Sequence, residues 1–229
     1  MKIAVFSDIH GNTVYFQAVL SRLEGKSVDR MFFLGDSVSY CPFGNDVLTM
    51  LRERNITCIE GNHDSMARGE FPIPERKDAI YRLRETIETI TPENMAFLKS
   101  WPDSLSLEAD GRRMFFVHGS PLNHLKGYAY EDSEMYFYDD PETDAVFMGH
   151  THRPWMKQNE HTLLVNVGSV GLPRDRGRFP TFVLYDTLTG EVSIERFEAD
   201  PTPLLRNPGI LHPDTANVFN RGKLWNKFA

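Results

Sequence analysis

The sequence predicts an α/β protein with two facing sheets, on three observations. In the first sixty residues short apolar runs alternate with helical stripes, the rhythm of a parallel sheet built by right-handed crossovers. Each of those runs stops at a cluster of Gly, Asp, Asn or His, and in open α/β sheets ligands bind at such strand ends. From Leu105 the texture changes to a hairpin and further short strands, which reads as a second, mostly antiparallel sheet facing the first.

The elements follow in order. Ile3 to Phe6 is a buried strand that runs into Ser7-Asp8-Ile9-His10-Gly11-Asn12. Asp8 and His10 are two apart, so on extended backbone they point to one side, a start for a metal site. Asn12 caps a helix carrying Val14, Tyr15, Phe16, Val19, Leu20 and Leu23 on a helical stripe, and Gly25 ends it. Met31 to Leu34 is the next strand, stopping at Gly35-Asp36. Asn45 or Asp46 starts a second helix through Leu51, and Ile56 to Ile59 is a third strand stopping at Glu60-Gly61-Asn62-His63-Asp64. Residues 70–104 read as a helical insert without chemistry, with Thr91-Pro92-Glu93 as a cap followed by proline at the first helical position. Asp110-Gly111 joins the strands Ser104–Glu108 and Arg112–Val117, and the second ends at His118-Gly119. Residues 122–142 are acidic and aromatic, a loop with a short helix. Ala145 to Met148 stops at Gly149-His150-Thr151-His152, and strands continue at Leu163–Ser169, Thr181–Tyr185 and Glu191–Phe197. The reading is one domain over 1–199 and an irregular tail over 200–229, where Leu224, Trp225 and Phe228 either dock on this or a partner subunit in a homo-oligomer or stay loose.

The 229 residues are 41% hydrophobic and 25% charged, ordinary for a soluble protein. The net charge of −7 argues against a protein whose main task is holding long nucleic acid by its phosphates, and leaves a small phosphorylated substrate open. Cys41 and Cys58 lack metal-motif spacing and read as reduced thiols. No apolar run reaches membrane-spanning length, so the expected setting is cytoplasmic, with no membrane partner.

Five strands thus end in similar clusters, which hold five of the eight histidines: His10, His63, His118, His150 and His152. One histidine after a buried strand is ordinary; five strand ends supplying metal-type ligands point to a shared centre. His124, His161 and His212 read as surface histidines.

This order of motifs resembles the calcineurin-like metallophosphoesterase superfamily over residues 1–186, and Asn166 to Asp175 resembles its compact bacterial and archaeal phosphodiesterase branch. The resemblance implies a four-layer α/β/β/α sandwich, with two mixed sheets flanked by helices and two divalent ions between the sheets' ends. It implies that Asp8, His10, Asp36 and His152 bind one ion and that Asp36, Asn62, His118 and His150 bind the other, with Asp36 bridging. Ions about 3.5–4 Å apart bind two phosphoryl oxygens and acidify a bound water, whose hydroxide attacks phosphorus in line. Manganese is the preferred ion; iron, nickel, cobalt and zinc suit the same mixed N/O ligands. His63 matches the family's acid for the leaving group. Asn12, Arg174 and Tyr40 are candidate substrate contacts, the last by stacking on a base or else by packing its loop.

One departure is informative. The family's protein serine/threonine phosphatases read Gly-Asp-x-Val-Asp-Arg-Gly where this chain reads Gly35-Asp36-Ser37-Val38-Ser39-Tyr40-Cys41. The carboxylate that orients the acid histidine is Ser39 here and the phosphate-binding arginine is Tyr40, which lowers the case for a phosphoprotein phosphatase and leaves Asp64 as the expected partner of His63. The expected activity is therefore hydrolysis of phosphodiesters or phosphoanhydrides of nucleotides. A phosphomonoesterase, a non-catalytic scaffold of the same fold and a nuclease are the weaker readings.

Overall fold

The computed structural model describes residues 1–134, 138–206 and 209–222. The first sheet begins with β1 (Lys2–Phe6), β2 (Arg30–Phe33) and β3 (Thr57–Cys58), joined by α1 (Thr13–Leu23) and α2 (Gly44–Glu53). These strands pair in parallel, as the alternation of runs and stripes predicts. β1 is apolar on both faces for a visible reason. Ala4 and Phe6 pack under α1 and α2, whereas Ile3 and Val5 face the second sheet.

The second sheet comprises β4 (Ser104–Ala109), β5 (Arg112–Val117), β6 (Ala145–Met148), β7 (Trp155–Gln158) and β8 (Leu163–Asn166), in the order β4-β5-β6-β8-β7. Asp110 and Gly111 both take positive φ, as the expected hairpin turn requires. The sheet is not mostly antiparallel, because β5, β6 and β8 run parallel through its centre. Nor does the second half of the chain stay in it. β9 (Thr181–Asp186) pairs antiparallel with β1, and β10 (Val192–Arg196) extends that edge, so the first sheet reads β10-β9-β1-β2-β3. Alternation specifies which face a strand buries, not which partner it takes, and β9 has buried residues on both faces. The edge strand β7 escaped the sequence reading because Met156, Lys157 and Gln158 are exposed.

The two sheets meet through Ile3, Val5, Phe32, Phe116, Phe147 and Val183, among others. Phe32 stacks on Phe116 with ring centroids 4.6 Å apart, and Phe116 on Phe147 at 5.2 Å. Burying one such ring is worth about 2–3 kcal/mol. This contact fixes the register of the strand ends that carry the site.

α2 starts one residue before the expected cap, at Gly44, and no side chain caps it. Asn45 is used elsewhere: its Oδ1 accepts from Thr91 N and from Asn94 Nδ2, both at 2.9 Å, tying α2 to α6 (Pro92–Lys99). The insert also holds α4 (Glu75–Tyr81) and α5 (Leu83–Thr89). The tail is less irregular than its prolines suggest. α7 (Thr202–Leu205) and α8 (Pro213–Val218) form in it, and Leu204 and Phe219 are fully buried against the helix side of the first sheet. Leu224, Trp225 and Phe228 lie outside the described residues. Among those described, no helix is long and apolar enough to cross a membrane.

Candidate binuclear metal centre

The site sits where the C-terminal ends of β1, β2, β5 and β6 meet α3 (Asn62–Ala67). Asp8, His10, Asp36, His150 and His152 all have positive φ, between 51° and 64°. They converge through left-handed kinks, and not because extended backbone places alternate residues on one side. Such a conformation costs about 1–3 kcal/mol at a non-glycine residue and persists only where its surroundings hold it. Here the parallel ladder continues past the strands: Asp8 N donates to Gly35 O and His10 N to Asp36 O, each at 2.9 Å. Approach is close enough that a Cβ on Gly61 would lie 2.2 Å from Asp36 Oδ1.

Two ligand sets form. Asp8, His10 and His152 present buried ligand atoms within 4.8 Å of one another, and so do Asp36, His118 and His150. Hydrogen-bond accounting shows what they await. His10 Nδ1 faces Val38 O at 3.1 Å, His152 Nδ1 faces Leu172 O at 2.7 Å, and His118 Nδ1 faces Leu34 O at 2.7 Å. A carbonyl only accepts, so each Nδ1 carries a hydrogen, and Nε2 is the nitrogen whose lone pair faces the centre when the ring is neutral. Yet His10 Nε2 and His152 Nε2 stand 3.2 Å apart, with Asp8 Oδ1 3.1 Å from the latter and without any donor. His118 Nε2 likewise meets Asn62 Oδ1 and His150 Nδ1 at 3.2 Å and Asp36 Oδ2 at 3.4 Å. Carboxylate oxygens and imidazole nitrogens crowded this closely, with Asp8 Oδ1 left unpartnered, suit a cation's coordination shell, and the mixed N/O donors suit divalent transition ions. Asp36 Oδ2 is also 3.7 Å from His10 Nε2, so this carboxylate reaches both sets.

The electrostatics agree. Burial holds His10 well below the usual imidazole range and His150 down to about 3, so both offer neutral nitrogen. At His118 burial also works against charge, but Asp36 and Asp8 outweigh it and raise the ring to about 9. The carboxylates thus call for positive charge at that point, which a proton or a metal ion can supply.

His63 opens α3 beside this centre, its backbone N–H donating to Asp36 Oδ1 at 2.8 Å. Its ring lies edge-on to Tyr81 at 4.5 Å and to His10 at 5.1 Å, and burial pulls it down to about 4. Asp64 does not orient it. Asp64 accepts from Asp36 N, Ser37 N, Ser37 Oγ and Gly61 N, at 2.6 to 3.0 Å, and so braces the loop that carries Asp36. Burial and Asp36 push Asp64 up to about 7 against the pull of those donors. Ser39 is the residue beside His63, with Oγ 2.9 Å from Nδ1.

Two expected substrate contacts fall away. Asn12 is fully buried, with Oδ1 accepting from Tyr15 N as the helix cap and Nδ2 donating to Gly171 O, so its amide is turned into the chain and closed to a substrate. Tyr40 is buried between His10, His63 and Tyr81, which leaves no face for a base. Arg174 is half-buried, close enough to act electrostatically on Tyr40 and His63, and has no ion pair among the described residues. Two residues were missed. Tyr81 comes from the insert read as without chemistry; Tyr40 N donates to its carbonyl at 2.6 Å, a contact with no local signal. Tyr128 lies in the aromatic stretch and sets its ring 4.3 Å from His150 while 55% exposed, with Tyr130 stacked near it.

Residues 1–190 match the model of the calcineurin-like phosphoesterase superfamily domain. The chain belongs to that family. It is 29% identical to the uncharacterized protein MJ0912 of Methanocaldococcus jannaschii over 217 residues, covering 86% of this chain and 88% of that one. Phosphodiesterase MJ0936 of the same organism is 25% identical over 173 residues, 73% of this chain and 83% of the other. The crystal structure of a metallophosphoesterase from Sphaerobacter thermophilus superposes with a TM-score of 0.78 at 25% identity, covering 97% and 99% of the two chains. As a member of this family the protein is a hydrolase of phosphoric ester bonds, and the two ligand sets are its candidate sites for divalent metal.

Proposed function

We propose that this phosphoesterase cleaves phosphodiester or phosphoanhydride bonds of nucleotides by direct attack of water, with no phosphorylated side chain. The reading is carried by one observation, the convergence of the Nε2 atoms of His10, His152 and His118 on Asp8 and Asp36. Two divalent ions bound there, manganese first, would supply charge for the phosphoryl oxygens and acidify the attacking water. Asp8, His10 and His152 would hold one, Asp36, Asn62, His118 and His150 the other, with Asp36 shared. The chain's own residues do the rest. Arg174 holds the substrate anion, His63 meets the leaving oxygen with its outer nitrogen, and Tyr40 and Tyr81 wall that ring from water. A complete ligand set with His63 in place speaks against a non-catalytic scaffold. The buried free thiols Cys41 and Cys58 fit a reducing, cytoplasmic setting.

The test is hydrolysis of a nitrophenyl phosphodiester with Mn²⁺, Ni²⁺, Co²⁺ or Zn²⁺; no turnover with any of them defeats the proposal. The nucleotide part rests on Tyr128, whose exposed ring beside His150 suits a base. Tyr128→Ala is expected to weaken kcat/KM on a nucleotide substrate about ten- to hundredfold, the usual loss of one base–aromatic stack, and much less on a substrate lacking a base. Equal loss on both would remove the base from the reading.

A further inference from the structure

We infer that Ser39 is a positioning residue that locks His63 as a neutral hydrogen-bond donor, and that the enzyme is thereby suited to phosphoanhydrides, whose leaving group needs no proton, more than to alkyl phosphodiesters. This rests on the phosphoesterase reading of the centre.

The hydrogens around Ser39 decide the tautomer. Ser39 is fully buried, and its Oγ lies 2.9 Å from His63 Nδ1 and 3.2 Å from His10 Nδ1. His10 Nδ1 also faces the carbonyl of Val38, which can only accept, so that nitrogen carries a hydrogen. Toward it Ser39 Oγ can therefore only accept. The single hydroxyl proton then has one acceptor left among the described residues, His63 Nδ1. His63 must carry its own proton on Nε2. In the reverse arrangement, with His63 Nδ1 donating, the buried hydroxyl proton would have no acceptor, at a cost that buried polar groups rarely bear. No carboxylate contacts either ring nitrogen of His63 among the described residues, so no ion pair competes with the Ser39 hydroxyl for Nδ1. The backbone is bent to make this contact: Ser39 and Tyr40 are consecutive non-glycine residues at φ 83° and 61°, held by Tyr40 N donating to Tyr81 O.

The chemistry follows. A neutral imidazole that gave away its Nε2 proton would become an imidazolate, so it stabilises charge on the leaving oxygen by a hydrogen bond instead of delivering the proton. In hydrolysis the water oxygen forms the new bond to phosphorus, the bond to the leaving oxygen breaks, and its electron pair stays on that oxygen. A phosphate leaving group carries this pair as a stable anion, and the proton lost by water goes to solvent. An alkoxide needs a proton at once, which an imidazolium held by a carboxylate could give and this His63 cannot.

The experiment compares the Mn²⁺-loaded wild type with Ser39→Asp and Ser39→Gly (glycine suits the positive φ) on two nucleotides, a dinucleoside polyphosphate and a 3′,5′-linked dinucleotide. Ser39→Asp is expected to shift the ratio of kcat values toward the dinucleotide by at least about tenfold, since general acids contribute about 10²–10⁴. Ser39→Gly is expected to lower kcat on the anhydride about tenfold with little change in KM. Loss of the same factor on both substrates in both variants would overturn the inference, marking Ser39 as a prop for His10. The second readout needs no metal or turnover. In ¹⁵N-histidine NMR spectra of the metal-free chain, His63 is expected as the Nε2–H tautomer in the wild type and as a mixture in Ser39→Gly. An Nδ1–H tautomer in the wild type overturns the inference. Inactivity of the wild type on both substrates would defeat the phosphoesterase reading and leave the NMR result to decide the tautomer.

Discussion

The first sheet brings Asp8, His10, Asp36, Asn62 and His63 to the centre, and the second brings His118, His150 and His152. All the negative charge therefore comes from one side. On that side the loops brace one another: Asp8 and His10 bond to the loop after β2, and Asp64 gathers four donors around Asp36. The second sheet offers imidazole rings that partly borrow their orientation. His118 Nδ1 is aimed by Leu34 O of the first sheet, and His150 N donates to Asp8 Oδ2 at 3.0 Å. One sheet holds a rigid anionic cradle, and the other closes it only when the sheets pack in register.

The sharpest way to break this contrast is Asp36→Asn. Its carboxylate reaches both ligand sets, so metal content should fall at both positions and activity by more than about a hundredfold, beyond what outer partners of a metal usually cost. His152→Ala, on the imidazole side, should empty only the first set; metal analysis of both variants separates the cases. Next comes Asp64→Ala. It strands the buried N–H groups of Asp36, Ser37 and Gly61, and should cost about 3–5 kcal/mol, read as a fall of roughly 10 °C in Tm. A change under about 2 °C would show that the cradle does not depend on that carboxylate.

The smallest effect concerns protons. With His118 raised to about 9 by Asp36 and Asp8, the metal-free centre holds a proton there at neutral pH. Metal must displace it, so apparent affinity should rise up to about tenfold per pH unit below that value and flatten above it. Calorimetry in buffers of different ionisation enthalpy should report about one proton released at pH 7. Release of none would mean that the second sheet's rings are already neutral before metal arrives.

Much of this was legible in the chain. The apolar runs at Ile3–Phe6, Met31–Leu34 and Ala145–Met148 are strands covered on both faces, and each motif follows one of them. The histidines and aspartates that end those runs do converge. What failed was everything that depends on a distant partner. Asn12 reads as a helix cap that can also reach substrate until Gly171 O takes its Nδ2. Tyr40 reads as either a stacking or a loop-packing ring until Tyr81, from a helix about forty residues on in sequence, closes over it. Asp64 is next to His63 in the chain, but the donors around Asp36 turn it away, and Ser39 takes the neighbouring place.

The sequence by itself determined the strand–helix rhythm, the two-sheet class and the donor types at each strand end, because alternation, caps and glycine-bearing turns act over a few residues. Tertiary structure alone decided that β9 and β10 join the first sheet, that the ligands meet through left-handed kinks, and which side chain faces His63. Those outcomes depend on contacts between segments far apart in the chain, where a buried hydrogen must find its one remaining acceptor.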